Sequence, residues 1–353
     1  MKYNLSEKII IQDYKIPTNK VYRVLKGFFL AVSHINLFFY IIKYYRQYSK
    51  FSFTYLYELI FFSQFREVEN LHVQFGTNKH PIDFLKMIGF LKGKLIVSFH
   101  GHDLYFPING RIDDKDYYKN LFIAGDYFIA NTPYLKKNLL SLGAEEDKIR
   151  IIPVGVDDKY FKPKKHKELS DYISLVTVGR LETFKGQKLG VECVKNLILK
   201  GCNIRYTIVG NGREYNNLNK LIKTHGLDDK IFLTGAKNQA DIKAILLNSD
   251  IFLMTSITDP NYGVESQGLV TAEAQSCGLP VVAFDSGGIK YTLEDGETGF
   301  LCKEYNLDCY TDKLEMLINN PELRNTMGAN ARKFISTNFS QNSLNKKWDK
   351  IYS

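Results

Sequence analysis

The chain has 353 residues and a mass of 40.7 kDa, which is too long for one ordinary hydrophobic core and fits two domains. Hydrophobic residues make up 44% of it and charged residues 24%, which excludes a disordered or fibrous protein. The net charge of +9 lies in residues 1–165, which hold 25 Lys and Arg against 16 Asp and Glu, whereas the rest holds 22 of each. The first half therefore either faces an anionic partner, such as nucleic acid, acidic lipid or a phosphorylated substrate, or presents a solvated basic surface.

The cysteines exclude a disulfide scaffold, because there are only five of them and none forms a C-x-x-C pair. They are Cys193, Cys202, Cys277, Cys302 and Cys309. Free thiols in a reducing cytoplasm are the simplest interpretation, and no spacing indicates structural zinc. The N-terminus has no apolar core followed by a small-residue cleavage site, so no secretory signal is predicted.

An apolar, aromatic stretch of 16 residues without a charge runs from Gly27 to Ile42. Basic residues flank it: Lys20, Arg23 and Lys26 before it, and Lys43, Arg46 and Lys50 after it. Three alternatives are open. The stretch forms buried core helices, or a helix lying in the membrane interface, where Lys and Arg reach lipid phosphates, or a membrane span.

Strand and helix signals alternate from about residue 70. In the first half the pattern predicts strands at 71–75, 95–99, 127–130 and 149–152, a helix at 81–91 and a linker at 157–170. In the second half it predicts strands at 173–178, 205–209, 231–234, 251–254 and 280–284, with helices at 186–200, 214–225, 241–248 and 269–276. This alternation predicts an α/β protein with a parallel sheet in each half, and such sheets bind ligands beyond the carboxyl ends of their strands.

The strongest chemical signal is a pair of glutamates, Glu265 and Glu273, on either side of a predicted helix start. Between them, Gly268 allows the backbone to approach a ligand closely. The first amides of a helix carry unpaired N–H groups, which suit a diphosphate. A diphosphate there, with a carboxylate on each side to bind hydroxyls, would be a sugar nucleotide. The alternative is a surface acid followed by an ordinary residue of the first helical turn.

Two loops that follow strands add to this signal. Arg180 and Lys185 lie after the strand 173–178, where cations can meet phosphate oxygens. Gly210 and Gly212 follow the strand 205–209 and permit close backbone approach. That loop lacks the third glycine of G-x-G-x-x-G, and no acidic residue closes a following strand, so a nicotinamide dinucleotide site is not favoured.

A histidine, His100, follows the predicted strand 95–99 and is itself followed by Gly101. At a strand's carboxyl end it can donate to a substrate hydroxyl or phosphate. The alternatives are a structural histidine, or a metal site made by His100, His102 and Asp103. An Asp-x-Asp pair at 114–116 could hold a metal–nucleotide complex, but its place in a polar loop favours a solvated acidic turn.

Together these residues resemble the retaining glycosyltransferases of family 4. The motifs that carry the resemblance are Gly179-Arg180, Lys185-Gly186, 209–212, Glu265 with Glu273, 277–282, 287–289 and 296–301. The segment 99–103 is most similar to the branch that makes exopolysaccharides of the colanic acid or amylovoran type. The resemblance implies the GT-B fold, with two facing Rossmann-like domains, a cleft between them and a C-terminal helix that crosses back to the first domain. The implied ranges are 1–165 for an acceptor-side domain, 166–335 for a nucleotide-sugar domain and 336–353 for that helix.

The resemblance also implies roles. Arg180 and Lys185 would hold the donor diphosphate and stabilise the leaving group, Glu265 would bind the transferred sugar, and His100 would contact sugar and phosphate. The implied nucleotide-binding residues are Gly179, Gly210, Asn211, Gly212, Gly268, Leu269, Val270 and Glu273, the last on the ribose. The implied substrates are a UDP- or GDP-linked hexose and a saccharide or lipid-linked saccharide acceptor, with no metal, no cofactor and no nucleic acid. The expected location is the cytoplasmic face of a bacterial plasma membrane, on anionic lipid, in synthesis of exopolysaccharide, capsule or lipopolysaccharide.

Two departures from the family pattern leave a second hypothesis open. The usual first strand and glycine-rich loop have no clear counterpart, because the early strand at 8–12 is followed by 16–19 without glycine. Either the chain starts one βα unit late or this loop has diverged. Lys290 and Tyr291 also stand where many relatives carry Pro and Glu. The second hypothesis is a catalytically impaired relative that acts as a binding subunit of a polysaccharide assembly complex.

Overall fold

The computed structural model describes residues 10, 12–108, 110–163, 170–260 and 263–353. The chain divides into two compact units. The first unit comprises Met1–Ser98, Asp114–Phe128 and Gly143–Lys148, and the second comprises Phe99–Asp113, Ile129–Leu142 and Ile149–Ser353. The three domain ranges stay a prediction, and most of the predicted early strand at 8–12 lies outside the described residues.

Two helices, α1 (Lys20–Ser33) and α2 (Phe38–Tyr48), form the charge-free stretch and its basic flanks. Asn19 caps α1 by accepting a hydrogen bond from the backbone N–H of Tyr22. Most apolar side chains of these helices are exposed and a smaller set is buried, so the helices are not core helices buried on all sides. No described helix alone is long and apolar enough to cross a membrane; Lys20–Ser33 and Ile35–Tyr48 meet the length and composition requirement only as a pair, bent by 91°.

The first unit has its own hydrophobic core beneath these helices. Leu37, Ile41 and Tyr44 pack there with side chains of α3 (Thr54–Phe62) and of α4 (Ile82–Met87). The core contains a buried carboxyl group, Glu58, whose Oε2 accepts a 2.9 Å hydrogen bond from the Tyr44 hydroxyl. Burial raises the pKa of Glu58, and the Tyr44 hydrogen bond opposes that shift.

The first sheet has four strands in the order β1-β2-β3-β4. They are β1 (Asn70–Gln74), β2 (Lys94–Phe99), β3 (Tyr127–Ala130) and β4 (Ile149–Ile151), as the sequence predicts within one residue. β1 and β2 run parallel, with Leu71 opposite Leu95. The predicted helix 81–91 is too long, because α4 ends at Met87 and Gly89 takes a left-handed φ of 75°. Three helices of this part of the chain are not among the predicted elements: α3, α5 (Lys119–Ala124) and α6 (Pro133–Ser141).

The second sheet has six strands, and its order determines where a ligand can bind. The strands are β5 (Ile173–Val178), β6 (Ile204–Val209), β7 (Ile231–Leu233), β8 (Ile251–Met254), β9 (Val281–Phe284) and β10 (Gly299–Cys302), in the order β10-β9-β8-β5-β6-β7. All the pairings are parallel. The chain leaves β5 toward β6 and later returns to the other side of β5 as β8. The carboxyl ends of β5 and β8 are therefore the switch point at which open parallel sheets bind ligands.

Helices connect these strands, and both faces of the sheet are covered, since β8 and β9 are buried along their whole length. The helices are α7 (Gln187–Leu199), α8 (Tyr215–Thr224), α9 (Gln239–Asn248), α10 (Leu269–Ser276), α11 (Leu307–Asn319), α12 (Pro321–Asn338) and α13 (Gln341–Tyr352). The α/β prediction is confirmed, with β10, α11 and α12 as additions that the pattern analysis did not specify.

Candidate active site

A cavity of about 370 Å³ opens at the carboxyl ends of β5 and β8. Its wall contains His100, His102, Tyr105, Arg180, Glu182, Phe184, Lys185, Arg213, Gly263, Val264, Glu265 and Ser266. All of these residues belong to the second unit. The four residues predicted as catalytic, His100, Arg180, Lys185 and Glu265, thus line one cavity although 165 positions separate the first from the last.

The loop after β5 positions both predicted cations. Gln187 donates a 2.9 Å hydrogen bond to the carbonyl oxygen of Arg180, and Thr255, just after β8, donates one of 2.8 Å to that of Lys185. Gly186 turns the chain into α7 with a φ of 63°. A Cβ atom there would lie 2.1 Å from the Thr255 carbonyl oxygen, so only glycine fits this turn.

The cavity wall contains two ion pairs and one further cation. The ammonium group of Lys185 contacts the Glu265 carboxylate, and both side chains are about 15% exposed. Arg213 Nε donates to Glu182 Oε2 at 3.0 Å. Arg180, an exposed residue, adds a further cation to the described wall. Three cations against two carboxylates leave the cavity with excess positive charge, which favours an anionic ligand such as a diphosphate.

His100 is held by a network that sequence reasoning did not identify. Asp103 is fully buried, and its Oδ1 accepts hydrogen bonds from the backbone N–H groups of His100 (3.0 Å) and Gly101 (2.9 Å). Ser266 donates a 2.7 Å bond to the His100 carbonyl oxygen. Burial lowers the pKa of the His100 ring, while Asp103 opposes that shift. Asp103 therefore has a structural role, and the described residues contain no cluster of three or more His, Cys, Asp or Glu that could hold a metal ion.

The loop that carries Glu265 is fixed on several sides. The Gln267 side chain accepts from the Val154 N–H at 2.8 Å and donates to the Val154 carbonyl oxygen at 2.9 Å. The Thr132 hydroxyl donates a 2.9 Å hydrogen bond to the carbonyl oxygen of Ser266. The backbone N–H of Gly288 donates one of 2.8 Å to the carbonyl oxygen of Glu265. Gln267 and Ser266 are positioning residues that stand inside the motif found from sequence. Nothing in the local pattern indicates their distant partners.

The second predicted carboxylate, Glu273, lies near the middle of α10 and outside the cavity wall. Gly268 precedes α10 with a φ of 81°, so the helix begins there as predicted. Burial raises the pKa of Glu273 to about 7. At neutral pH its ionised form is therefore only partly populated, and a ligand hydroxyl that donates to it would favour ionisation. Leu269 and Val270, whose amides begin α10, also lie outside the wall.

The predicted glycines of the two neighbouring loops bring those loops together. The Leu181 N–H donates a 2.9 Å bond to the Asn211 carbonyl oxygen. A Cβ atom on Gly210 would lie 1.8 Å from the carbonyl oxygen of Gly179, and one on Gly212 would lie 2.3 Å from that of Leu181. Gly210 and Gly212 are therefore required because the backbones of the two loops are in direct contact, which leaves no room for a side chain. None of Gly179, Gly210, Asn211 and Gly212 is in the cavity wall, and their predicted part in nucleotide binding stays a prediction.

Comparison with known proteins places this site in a family context. Residues 158–334, half of the chain, match the family model of the glycosyl transferases group 1, and residues 38–160 match that of Glycosyltransferase Family 4. WcaL of Salmonella typhimurium, which carries the name of a colanic acid biosynthesis glycosyltransferase, is 30% identical over 74% of this chain and 65% of its own length. The amylovoran biosynthesis glycosyltransferase AmsK of Erwinia amylovora is 29% identical over 66% of this chain and 57% of its own. The chain therefore spans less than two thirds of these relatives.

Solved structures agree on the fold. HepE of Anabaena, crystallised in complex with UDP, has a TM-score of 0.69 at 19% identity, over 83% of this chain and 80% of its own. A glycosyltransferase from Rickettsia africae has a TM-score of 0.71 at 23% identity, over 84% of this chain and 78% of its own. The fold is that of the GT-B glycosyltransferases. By the match over half of its length, the chain belongs to the group 1 family of glycosyl transferases.

Proposed function

We propose that this protein is a retaining glycosyltransferase that moves a hexose from a UDP- or GDP-linked sugar to a saccharide or lipid-linked saccharide. The observation that carries the proposal is the cavity at the switch point, whose wall contains Arg180, Arg213 and the ion pair of Lys185 with Glu265. The names of WcaL and AmsK support a place in surface polysaccharide synthesis. Crystals of HepE with UDP and glucose support a nucleotide-sugar donor.

In this proposal the donor diphosphate binds Arg180 and Lys185 and reaches the first amides of α10. The backbone of the loop that carries the cations is held in place, because Thr255, just after β8, donates to the Lys185 carbonyl oxygen and Gln187 of α7 donates to that of Arg180. Charges that are already in place stabilise a developing diphosphate without reorganisation, and such electrostatic stabilisation is usually the largest single contribution to catalysis. Glu273 binds the ribose hydroxyls.

The reaction breaks the bond between the anomeric carbon and the diphosphate oxygen, and the acceptor oxygen bonds to that carbon from the same face. The acceptor proton passes to the departing phosphate oxygen. Glu265 holds the sugar hydroxyls and is released from Lys185 when the diphosphate takes the ammonium group. His100, neutral because burial lowers its pKa, can donate one hydrogen bond to sugar or phosphate. Since side chains and helix amides compensate the charge, we expect turnover to persist in EDTA.

The first experiment is a donor screen with UDP-, GDP- and ADP-sugars, in which thermal stability and slow hydrolysis are followed together. A ligand that binds the folded state raises the melting temperature by mass action. We expect a selective shift with one nucleotide sugar and slow hydrolysis of the same compound. A shift without hydrolysis or transfer to any acceptor would favour the impaired-relative hypothesis. No shift with any nucleotide would overturn the proposal.

Lys185→Ala tests the leaving-group role, with Lys188→Ala as the matched control. Lys188 has the same charge, lies three residues further on and is exposed outside the cavity wall. We expect Lys185→Ala to lower turnover about 10²-fold or more, the scale of removing one transition-state stabiliser. Lys188→Ala keeps wild-type turnover. Equal turnover in the two variants would remove Lys185 from the mechanism.

The proposal also places the enzyme at an anionic membrane surface, through α1 and α2 of the first unit. Val21, Leu25, Phe28, Phe29 and Val32 recur with helical spacing, and each is 63–70% exposed. Between residues 14 and 57 the sequence has seven Lys or Arg and no Asp or Glu. An apolar stripe within a basic segment suits a helix lying in the interface of anionic lipid.

Vesicle sedimentation tests the membrane contact. We expect the protein to sediment with phosphatidylglycerol-containing vesicles and much less with phosphatidylcholine alone. The double variant Phe28→Ser, Phe29→Ser loses this binding, whereas the control Leu199→Ser, at a 76% exposed apolar position in the second unit, retains it. Equal binding by the double variant would show that this surface does not bind lipid.

A further inference from the structure

The side chain of Phe184 lines the cavity at the switch point, and the proposed mechanism gives it no role. Phe184 directly precedes Lys185, and the Lys185 ammonium nitrogen lies over its ring, 5.1 Å from the ring centre. A cation within about 6 Å of a ring centre is attracted to the electron-rich ring face. The Lys185 ammonium group therefore has two partners, the Glu265 carboxylate and the Phe184 ring.

The backbone places the ring and the ammonium group side by side. Residues Thr183–Lys185 form a single short helical turn. The backbone N–H of Ile257 donates a 2.8 Å hydrogen bond to the carbonyl oxygen of Phe184, and the Thr255 hydroxyl donates one of 2.8 Å to the carbonyl oxygen of Lys185. The chain that follows β8 thus holds both carbonyl groups, so the two side chains start from a supported backbone.

The two partners of Lys185 differ in their effect on its charge. Glu265 neutralises the ammonium group and competes with a diphosphate for it, because the carboxylate and the diphosphate are both anions. The Phe184 ring is neutral, so it attracts the ammonium group without cancelling its charge. Phe184 and Lys185 are both only partly exposed, and the attraction between a cation and a ring is stronger where water is partly excluded.

We propose that Phe184 is a positioning residue for Lys185: its ring keeps the ammonium group in place when the donor diphosphate displaces Glu265. A lysine side chain released from its carboxylate has many rotamers, and each departure from the productive one removes the cation from the leaving group. The ring limits that freedom and leaves the three N–H donors of the ammonium group to the phosphate oxygens. This inference rests on the proposed transferase function.

The test compares the turnover of Phe184→Leu, Phe184→Tyr and wild type. The substrate is whichever of UDP-glucose, UDP-N-acetylglucosamine and GDP-mannose the wild type hydrolyses or transfers fastest. Leucine keeps an apolar side chain and removes the ring, whereas tyrosine keeps the ring. We expect Phe184→Leu to lower turnover about fivefold, the scale of one partly buried contact between a cation and a ring, and Phe184→Tyr to stay within about twofold of wild type.

The matched control is Tyr172→Leu. It removes another contact of this kind, in which the Arg205 guanidinium lies 4.2 Å from the Tyr172 ring centre. Tyr172 stands at the amino end of β5, in the same unit but outside the cavity wall. We expect Tyr172→Leu to keep wild-type turnover.

A double-mutant cycle shows whether the effect passes through Lys185. In the Lys185→Ala background, Phe184→Leu should leave turnover unchanged, because the ring then has no ammonium group to hold. A loss of about fivefold in that background would mean that the ring acts on the substrate itself, and it would overturn the inference. Wild-type turnover in Phe184→Leu, or an equal loss in Phe184→Tyr and Phe184→Leu, would also overturn it.

The transferase proposal is tested separately on the wild type, by calorimetric titration with UDP and GDP and by the same turnover assay. A wild type that binds no nucleotide and turns over no nucleotide sugar would overturn that proposal and this inference with it. An active wild type together with an equally active Phe184→Leu variant would overturn this inference alone and leave the transferase proposal standing.

Discussion

Replacing Glu273 by Gln should stabilise the protein while it weakens donor binding. The side chain is largely buried, and among the described contacts its carboxylate has no ion pair. The substitution keeps the shape and removes the charge that burial disfavours. A buried acid that costs stability in the free protein is expected where a ligand supplies the missing hydrogen bonds.

The magnitude follows from the pKa. Burial raises the pKa of Glu273 from its ordinary value of 4.5 to about 7. Because the folded state holds the proton more tightly than the unfolded chain, ionised Glu273 destabilises the fold. This destabilisation is absent well below pH 4.5. It grows as the pH rises from 4.5, the pKa in the unfolded chain, to about 7, the pKa in the folded protein, and it is complete above pH 7. A difference of roughly 2.5 pKa units amounts to about 3 kcal/mol at pH 8.5 and to about 1 kcal/mol at pH 5.

The assay is urea unfolding at both pH values, followed by the fluorescence of Trp348, the only tryptophan, which lies on α13 in the second unit. Glu273→Gln should raise the free energy of unfolding by about 3 kcal/mol at pH 8.5 and by about 1 kcal/mol at pH 5. The exposed Glu297→Gln is the control and should show no such difference. A stability gain independent of pH, or no gain at pH 8.5, would refute the reasoning.

Three further predictions concern the supports of the site and the core. Gly101→Ala should lower the free energy of unfolding by about 1–3 kcal/mol in urea, because φ is 113° and the new Cβ would lie 2.1 Å from Ser266 Oγ; an unchanged midpoint would contradict it. Gln267→Ala should cost a similar amount in the same assay, since Val154 loses two hydrogen-bond partners, and a neutral effect would show that water replaces them. Tyr44→Phe should cost about 1–3 kcal/mol by leaving Glu58 without its donor, whereas the exposed Tyr45→Phe should be neutral.

Local hydrophobic patterns in the sequence predict most of the strands and several of the helices. The continuous apolar run Ile251–Met254 predicts β8 to the residue, because a strand buried on both faces needs apolar side chains at every position. Glycine and polar residues after those strands marked the turns. The helix at 81–91 was predicted too long because its apolar pattern continues past Met87, where the left-handed turn at Gly89 has ended the helix.

The sequence predicts which residues line the candidate site, but it predicts only part of the contacts that hold them in place. The sequence predicts that His100, Arg180, Lys185 and Glu265 lie together, because each follows a predicted strand and parallel strands end at one edge of the sheet. The supporting contacts are not predicted from the sequence: Asp103 binds the local backbone of His100 and Gly101, whereas Ser266 and Gln267 act through partners more than 100 residues away. The sequence also does not predict whether Phe28 and Phe29 are exposed, because an apolar helical stripe has the same pattern in a core and at a lipid surface.

The sequence by itself determined that the protein is α/β, that its basic charge lies in the first half, and that the motif predicted to bind a diphosphate lies in the second half. These properties depend on composition and on neighbours within a few positions. Only the tertiary structure decided that Lys185 meets Glu265 and that Ser266 fixes His100. Hydrogen bonds and cavities depend on distances of a few ångströms between residues far apart in the chain, and the packing of whole elements determines those distances.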